Sequence, residues 1–424
     1  MIDRRAALVQ IGAATTALAA PALVRAQPKS ITWATHPAIL AATGDGEMLR
    51  RFEAKTGIKV ETVTFPTDVL GQRIQSEFIS RSSAFDVVNI ADSFWTSSLA
   101  RFVEPLDELN RRNPMPNGGL KDFFPGMLNQ FRVPQTSNGP LMGIPSRLSV
   151  SLMYYRKDLL EAAKLPVPRT LEEYVAAAKA MTKPGMHGVV MQGVQGQQGT
   201  LDWYDWAAPL GCDLLQAPDW KKAAFNSTPG IRALEARRRL VADGTASPGS
   251  LSFSFDDAVN SLAQSRAAMS IMFSGYWQRL EDPKTSQVAG KIGWAPIFRN
   301  DAVDFAYPGR GWALSINGSS AKKDMAWEFI RFLTDTPQQK WMGINKGNAI
   351  SRMSVLKDPE FVKAVPVALA LALALPRAKM MPNTPQLSRV YDALGRHVSG
   401  SLGGKIGSAD ALGQAEAECN LLLA

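Results

Sequence analysis

The stretch FDVVNIA, residues 85–91, decides the fold class because it is apolar along nearly its whole length. Strands of a parallel sheet have this composition, since helices cover both faces of the sheet. Working outward toward the N-terminus, ITWAT (31–35) and IKVETVTF (58–65) also have the character of strands, and GEMLRRFEAKTG (46–57) between them is typical of a helix that ends at glycine. This alternation of strands and helices predicts an α/β layer.

A second series of strands and helices follows from about Leu148. Thr170 and Glu173 have the spacing of a capping box, which predicts that a helix begins there. The apolar segment AAMSIMF (267–273) predicts a buried strand, and the glycine- and glutamine-rich segment GVQGQQGTLDWYDW (193–206) is interpreted as a loop. Together the two series predict two α/β lobes.

The composition is that of an ordinary globular protein, with 46% hydrophobic and 20% charged residues among 424. At about 100–200 residues per domain, this length predicts two or three domains. The formal net charge of +9 permits contact with nucleic acid, so the distribution of the basic residues along the chain decides whether such contact is expected. The only dense basic run, Arg237–Arg239, has no interleaved aromatic residues and is interpreted as a solvated helix face. No nucleic-acid partner is expected.

Residues 1–26 are predicted to be an export signal peptide. Arg4 and Arg5 precede a short, alanine-rich apolar run that ends in small residues at Ala26. The arginine pair indicates the twin-arginine route, although a general secretory signal fits the same pattern. No cysteine lies near the cleavage point, so a lipid anchor is not expected there, and the apolar run at 365–375 is too short to span a bilayer.

The common catalytic and metal-binding motifs are missing from the sequence. Three histidines are present, and none belongs to a metal-ligand cluster or stands near a nucleophile motif. We therefore predict no catalytic residues, no metal site and no cofactor. Cys212 and Cys419 are interpreted as two separate thiols, although an exported protein could pair them.

Tryptophan is the more informative residue type, because ten are present and several stand near predicted strand ends. Ligands of open α/β sheets bind at the carboxyl ends of strands. Flat aromatic faces there suit the apolar faces of sugars, while Asp, Asn and Arg satisfy hydroxyl groups. Any single tryptophan is more often a core residue, but several at different strand ends favour a binding site.

Several long segments resemble one family. They are FEAKTGIKV (52–60), FDVVNIADSFW (85–95), GIPSRLSVSLMYYRKDLLEAAKLPVPRTLEEY (143–174) and GRGWALSINGSSAKKDMAWEFIRFLTDTPQQKW (309–341). The family is extracellular solute-binding protein family 1, the periplasmic receptors of ATP-binding-cassette importers for sugars and polyols. The resemblance implies a two-lobe periplasmic binding protein-like fold with a hinge and a central ligand cleft. Its implied lobes are residues 27–147 plus 313–356 and residues 148–312 plus 357–424.

The resemblance also implies candidate ligand-binding residues. The segment MPNTPQLSRVYDAL (381–394) is similar to that of maltose-binding protein, in which the position of Tyr391 and that of Trp277 hold aromatic residues that stack on sugar. A core role for Trp277 remains the alternative. The remaining candidates lie in loops or near lobe crossings where relatives contact ligand: His36, Asp92, Trp95, Arg147, Trp203, Tyr276, Arg310 and Trp312.

The expected function is capture of a carbohydrate or polyol in the periplasm and its delivery, by a monomer, to the membrane permease subunits of an ATP-binding-cassette importer. Two alternatives stay open. Arg147 and Arg310 fit a receptor for phosphorylated or acidic solutes, and a secreted carbohydrate-active enzyme would need a pair of cleft carboxylates about 5–9.5 Å apart.

Overall fold

A computed structural model describes residues 29–424, and the predicted signal peptide lies outside these residues. The described residues form a mixed α/β fold, which confirms the predicted class. Its strands are β1 (Ser30–Thr35), β2 (Lys59–Thr64), β3 (Val87–Ala91), β4 (Ile144–Arg156), β5 (His187–Val189), β6 (Ala267–Phe273), β7 (Ile292–Pro296), β8 (Tyr307–Ile316) and β9 (Ala378–Lys379).

The helices pack on both faces of the strands, as the apolar strand composition requires. They are α1 (Pro37–Ala42), α2 (Glu47–Thr56), α3 (Thr67–Ile79), α4 (Asp107–Arg112), α5 (Pro125–Gln130), α6 (Lys157–Ala162), α7 (Leu171–Met181), α8 (Gln197–Ala207), α9 (Thr228–Ala242), α10 (Phe255–Ala263), α11 (Trp277–Glu281), α12 (Lys323–Leu333), α13 (Thr336–Lys346), α14 (Met353–Leu356), α15 (Pro359–Ala364), α16 (Ala368–Ala374), α17 (Leu387–Leu402) and α18 (Ser408–Leu423).

The strands are hydrogen-bonded in the order β2-β1-β3-β8-β4-β6-β5, with β7 paired to β4 and β9 paired to β8. Strand β4 joins the two halves of this sheet. Residues 144–150 of β4 pair with β8, whereas residues 151–155 pair with β6. This strand of 13 residues therefore belongs to the first half of the sheet at one end and to the second half at the other.

The first half of the sheet has its own core beneath β1 and β3. Trp33 and Phe52 are fully buried, and the ring of Phe329 lies edge-on to each with centroids 5.3 Å away. The Trp33 indole Nε1 donates a hydrogen bond to Asn89 Oδ1 at 2.9 Å, which satisfies the one polar atom of that ring. This packing fixes the position of the β1 and β3 carboxyl ends.

Several local predictions are confirmed. The segment AAMSIMF forms β6, and six of its seven residues are buried. Thr170 caps α7, and its hydroxyl and the Glu173 carboxylate form the predicted reciprocal capping box. The apolar run at 365–375 contains the short packed helix α16. Within residues 29–424, every helix is too short or too polar to cross a bilayer.

Two interpretations of the sequence are wrong. Residues 197–207, interpreted as part of a loop, form helix α8, and nine of its eleven residues are buried. Arg237, interpreted as part of a solvated helix face, is fully buried in α9, where its guanidinium forms an ion pair with the buried Asp202 carboxylate of α8. Local composition could not show that another helix would supply this carboxylate.

The two cysteines are unpaired and buried, as predicted. Cys212 follows the end of α8, and Cys419 lies in α18. Burial raises the pKa of each thiol to about 12. Both groups are therefore protonated and unreactive in the folded protein.

Candidate functional site

A cavity of about 580 Å³ lies where the two halves of the sheet meet. This volume is within the range of small-molecule sites. Its walls are formed by His36, Ala38, Ile39, Ala91, Asp92, Ser93, Arg147, Ser149, Val194, Gln195, Gln197, Gln198, Leu201, Phe255, Phe273, Arg310, Gly311, Trp312, Met381 and Tyr391.

Strand ends bring these side chains together. His36 directly follows β1 and Asp92 directly follows β3, and these two strands are parallel neighbours. Their carboxyl ends therefore open on the same edge of the sheet, where ligands of α/β proteins bind. Strand β6 contributes Phe273 at its end, so the second half of the sheet closes the opposite side of the cavity.

His36 is held by its own helix. Its Nδ1 accepts a hydrogen bond from the Ala38 backbone N–H at 3.1 Å, so the ring caps α1. The imidazole lies 5.9 Å from the Trp312 ring, centroid to centroid. Burial, together with the nearby positive charge of Arg147, lowers the pKa of His36. The imidazole is therefore neutral at pH 7, and because Nδ1 accepts a hydrogen bond, Nε2 carries the proton and offers one donor to the cavity.

Arg310 stands at the centre of a charged group. Its Nη2 donates to the Asp205 carboxylate on α8 at 3.3 Å, and its guanidinium carbon lies 5.0 Å from the Phe273 ring centroid. Within residues 29–424, the buried Nε and Nη1 of Arg310 have no hydrogen-bond partner. These N–H groups remain available for a ligand.

Asp92 lies in the same charged group. Its Oδ1 accepts from the Ser93 backbone N–H at 2.9 Å, whereas its buried Oδ2 has no partner within the described part of the chain. Burial raises the pKa of Asp92 to about 6, partly opposed by the positive charge of Arg310. At neutral pH the carboxylate is therefore ionised and can accept a hydroxyl hydrogen bond.

Arg147 on β4 differs from Arg310 in having no counter-charge. Among the side chains that the structure describes, none forms an ion pair or a hydrogen bond with its guanidinium. Burial lowers the pKa of Arg147 to about 10, and no carboxylate offsets this effect. The side chain is only partly exposed, at the wall of the cavity.

The structure brings six of the ten sequence-predicted residues to the cavity wall: His36, Asp92, Arg147, Arg310, Trp312 and Tyr391. Trp312 packs against both of the large apolar clusters of the protein while presenting part of its ring to the cavity. Tyr391 is almost fully buried, and its backbone carbonyl accepts a hydrogen bond from the Thr200 hydroxyl at 2.8 Å.

The other four predicted residues lie outside the cavity wall. Trp95 is buried against Phe131, with ring centroids 5.7 Å apart. Trp203 is fully buried in α8, where its Nε1 donates to the Gly230 carbonyl at 3.3 Å. Side chains buried in this way have no surface to offer a ligand, so we leave both out of the proposed site.

Tyr276 and Trp277 are partly exposed instead. The Tyr276 ring stacks on Phe273, a residue of the cavity wall, with centroids 6.4 Å apart and an interplanar angle of 16°. Trp277 begins the short helix α11 beyond it and packs against the core of the second half. The stacking role predicted for Trp277 stays a prediction.

Sequence reasoning missed the amide side chains of the site. Gln195, Gln197 and Gln198 line the cavity, and Gln198 Oε1 also accepts from the Phe255 backbone N–H at 3.0 Å. All three belong to the segment GVQGQQG, which follows strand β5. Three glutamines in a glycine-rich turn at a strand end could have predicted that amide side chains line the ligand site.

The arrangement is suited to binding a small polyhydroxylated molecule. Aromatic faces from Trp312 and Phe273 provide apolar surface, and the amides, Asp92 and the arginines provide acceptors and donors. Within the described residues, His, Cys, Asp and Glu side chains do not gather in groups of three that could hold a metal ion.

Known sequences match this chain over most of its length. A profile of the bacterial extracellular solute-binding proteins matches residues 36–340. A probable amino-acid ABC transporter periplasmic-binding protein of Sinorhizobium fredii is 28% identical over 370 residues, which are 85% of this chain and 82% of that protein.

Solved structures of similar proteins have the same two-lobe fold. A solute-binding protein from Agrobacterium radiobacter K84, in complex with ribitol, is 25% identical with a TM-score of 0.78, covering 93% of this chain and 98% of that one. The maltose-bound MalE3 protein of T. maritima is 26% identical with a TM-score of 0.79, covering 93% of this chain and 99% of that one. These matches confirm the predicted two-lobe architecture.

Proposed function

Because the chain belongs to the family of bacterial extracellular solute-binding proteins, we propose that it captures a sugar or polyol in the cavity between its lobes and delivers it to an ATP-binding-cassette import permease. The ribitol and maltose in the two similar structures support this ligand class.

The observation that carries the proposal is the composition of the cavity wall. The aromatic faces of Trp312 and Phe273 lie beside the amides of Gln195 and Gln197 and the carboxylate of Asp92. A sugar or polyol needs both kinds of surface, since it presents apolar C–H faces and hydroxyl groups that must keep their hydrogen bonds after leaving water.

We infer that the ligand leaves the cavity chemically unchanged. Asp92 supplies the only carboxylate among the cavity-wall side chains that the structure describes. Hydrolysis of a glycoside commonly uses two carboxylates that flank the scissile bond. One carboxylate beside two arginines is suited to holding hydroxyl groups.

We further propose the lobe division 27–147 plus 313–356 and 148–312 plus 357–424, with β4 and β8 crossing between the lobes. The change of partner along β4, from β8 to β6, supports a boundary close to residue 150. Residues from both sides of this boundary line the cavity, so closure about the hinge would enclose the ligand.

The proposed place of action is the periplasm, after export through the signal at residues 1–26 and by the twin-arginine route. The mature protein would act as a monomer, with the permease subunits as its protein partners. The family's extracellular character supports export, and Arg4 and Arg5 support the route.

A thermal-shift screen of the mature protein tests the proposed function. Sugars, polyols and amino acids would be compared, amino acids being included because of the name of the Sinorhizobium relative. A ligand present at 100 times its Kd stabilises the folded state by about 2.7 kcal/mol, which raises the melting temperature. Recovered ligand should be unaltered by mass spectrometry. Stabilisation by amino acids alone, or a modified ligand, would contradict the proposal.

A further inference from the structure

The cavity wall contains one arginine, Arg147, that has no carboxylate partner among the described side chains. Asp92 and Asp205 both act on Arg310, which forms an ion pair with Asp205. Arg147 has no carboxylate of its own among the described side chains, and burial alone governs its pKa. The partners of the two arginines therefore differ, although both side chains line the same wall.

The Arg147 guanidinium is partly exposed to the cavity, and a ligand that fills the cavity displaces the water around it. The bound state is then unfavourable unless the ligand supplies an acceptor, because no protein acceptor replaces this hydration. The neighbouring His36 offers it no acceptor, since Nδ1 already accepts from the Ala38 backbone N–H and Nε2 of the neutral ring carries a proton. A protein retains such a group where a bound molecule supplies the missing acceptor. The planar fork of arginine matches the two oxygens of a carboxylate.

We propose that the ligand is an acidic sugar or polyol, a sugar acid whose carboxylate pairs with Arg147. The inference rests on the proposed function and narrows its ligand class. The aromatic faces and glutamine amides would hold the hydroxylated carbon chain, and Asp92 would accept from one of its hydroxyl groups. A single arginine without a carboxylate partner matches the single charge of a carboxylate better than the double charge of a phosphate.

Matched ligand pairs test this inference by calorimetry at pH 7.5. D-Gluconate would be compared with D-glucitol, and D-galacturonate with D-galactose, because each pair differs mainly in its anionic group. We expect at least a tenfold preference for one of the acids. Raising the salt concentration from 50 to 500 mM should weaken binding of that acid and leave any binding of its neutral partner nearly unchanged.

The variant Arg147→Gln should lose at least tenfold in affinity for the acid and abolish the preference over the neutral partner. Arg147→Lys, which keeps the positive charge but not the planar guanidinium group, should retain part of the affinity for the acid. Arg132→Gln is the matched control, because Arg132 is a partly buried arginine outside the cavity wall. Its affinities should equal those of the parent protein.

The outcomes separate this inference from the proposed function. Equal affinity for acid and neutral partner, unchanged in Arg147→Gln, would overturn the inference while the proposed function stands. A tenfold preference for 6-phosphogluconate over gluconate would overturn the carboxylate assignment. Binding of neither acids, phosphates nor neutral sugars and polyols would contradict the proposed function and the inference together.

Discussion

Among single residues, Trp312 contributes both to the apolar packing and to the wall of the cavity. Its ring packs against both of the large apolar clusters, and the part that remains exposed faces the cavity beside His36. Strand β8 holds the backbone on both sides, with Trp312 paired to Ala91 of β3 and to Arg147 of β4. A ring fixed in this way is already oriented before the ligand arrives, which lowers the entropic cost of binding.

Replacement of Trp312 by alanine should weaken ligand binding at least tenfold. Truncating a central aromatic contact commonly costs about 2 kcal/mol or more, and each 1.4 kcal/mol is a factor of about ten in Kd. Trp294→Ala is the matched control, since Trp294 is also partly buried on a strand, packs on Tyr154 and lies outside the cavity wall. Calorimetry on both variants should show a loss of affinity for Trp312→Ala alone. Equal affinities would contradict the assigned role.

Asp92 predicts a specific dependence of stability on pH. Its pKa is raised by burial to about 6 in the folded protein, from 3.8. The folded state therefore binds more protons than the unfolded state between pH 3.8 and about 6. The stability that the protonated carboxyl group contributes is fully present below pH 3.8 and is lost as the pH rises through about 6. A shift of this size corresponds to about 3 kcal/mol at most. Asp92→Asn should remove this contribution.

Urea unfolding at pH 4.5 and at pH 7.5 measures the effect. Other titrating groups contribute equally to both proteins, so the difference between parent and variant isolates Asp92. We expect the free energy of unfolding of the variant, minus that of the parent, to be larger at pH 7.5 than at pH 4.5. An identical pH profile for the two proteins would show that Asp92 keeps an ordinary pKa in the folded state.

At the scale of elements, helices α8 and α9 are joined by a buried ion pair. Arg237 of α9 and Asp202 of α8 are both inaccessible to solvent, and the guanidinium carbon lies 5.9 Å from the Trp206 ring centroid. The Asp202 Oδ2 also accepts from the Gln192 backbone N–H at 3.1 Å. This pair fixes α8, whose first turn carries two of the three glutamines of the cavity wall, Gln197 and Gln198.

Removing one partner of this pair should destabilise the protein strongly. Arg237→Met leaves a buried carboxylate without its counter-charge, at a cost of about 3–5 kcal/mol. Arg238→Met, one residue farther along the same helix and partly exposed, should change stability by only about 0.5 kcal/mol. Chemical denaturation of both variants tests the difference. Similar effects for the two would mean that the ion pair does not hold α8 against α9.

Some of these elements could be predicted from the sequence and others could not. The continuous apolar run of β6 and the Thr170–Glu173 capping box are local signals, and both formed as predicted. Helix α8 was missed because Gly196 and Gly199 are poor helix formers, and its stability comes from burial against α9 and α17. The burial of Arg237 depends on Asp202, 35 positions away, so no local pattern could reveal it.

The same limit applies to the candidate site. Residues next to strand ends, such as His36 and Asp92, could be placed by topology and reached the cavity wall. Trp95 and Trp203 were candidates because relatives contact ligand from the corresponding loops, and the structure buries both rings. Whether an aromatic side chain faces the core or the cavity is decided by the helix that covers it, which depends on tertiary packing.

At the scale of the whole molecule, the two halves of the sheet share strands. Strand β4 pairs with β8 at one end and with β6 and β7 at the other. Rotation of one half relative to the other would have to bend a hydrogen-bonded strand near Val150, so we propose that the hinge lies within the sheet itself. Such a connection limits closure to a small set of directions.

Ligand binding should make the protein more compact in solution. A ligand that contacts residues from both halves stabilises the closed arrangement more than the open one, so it shifts the population toward closure. Small-angle X-ray scattering should show a smaller radius of gyration with saturating ligand than without it. The variant Trp312→Ala at the same ligand concentration should change less. Binding detected by calorimetry without any change in scattering would show that the lobes do not close.

The two buried thiols can be used to measure how often the folded structure opens locally. Neither Cys212 nor Cys419 can react while folded, because each is covered and has a pKa of about 12. Alkylation must therefore wait for a fluctuation that exposes the sulfur, and its rate measures how often that fluctuation occurs. Cys419 lies in the last helix and Cys212 beside α9, so mass spectrometry of the two peptides would distinguish detachment of the C-terminal helix from unfolding of the entire chain.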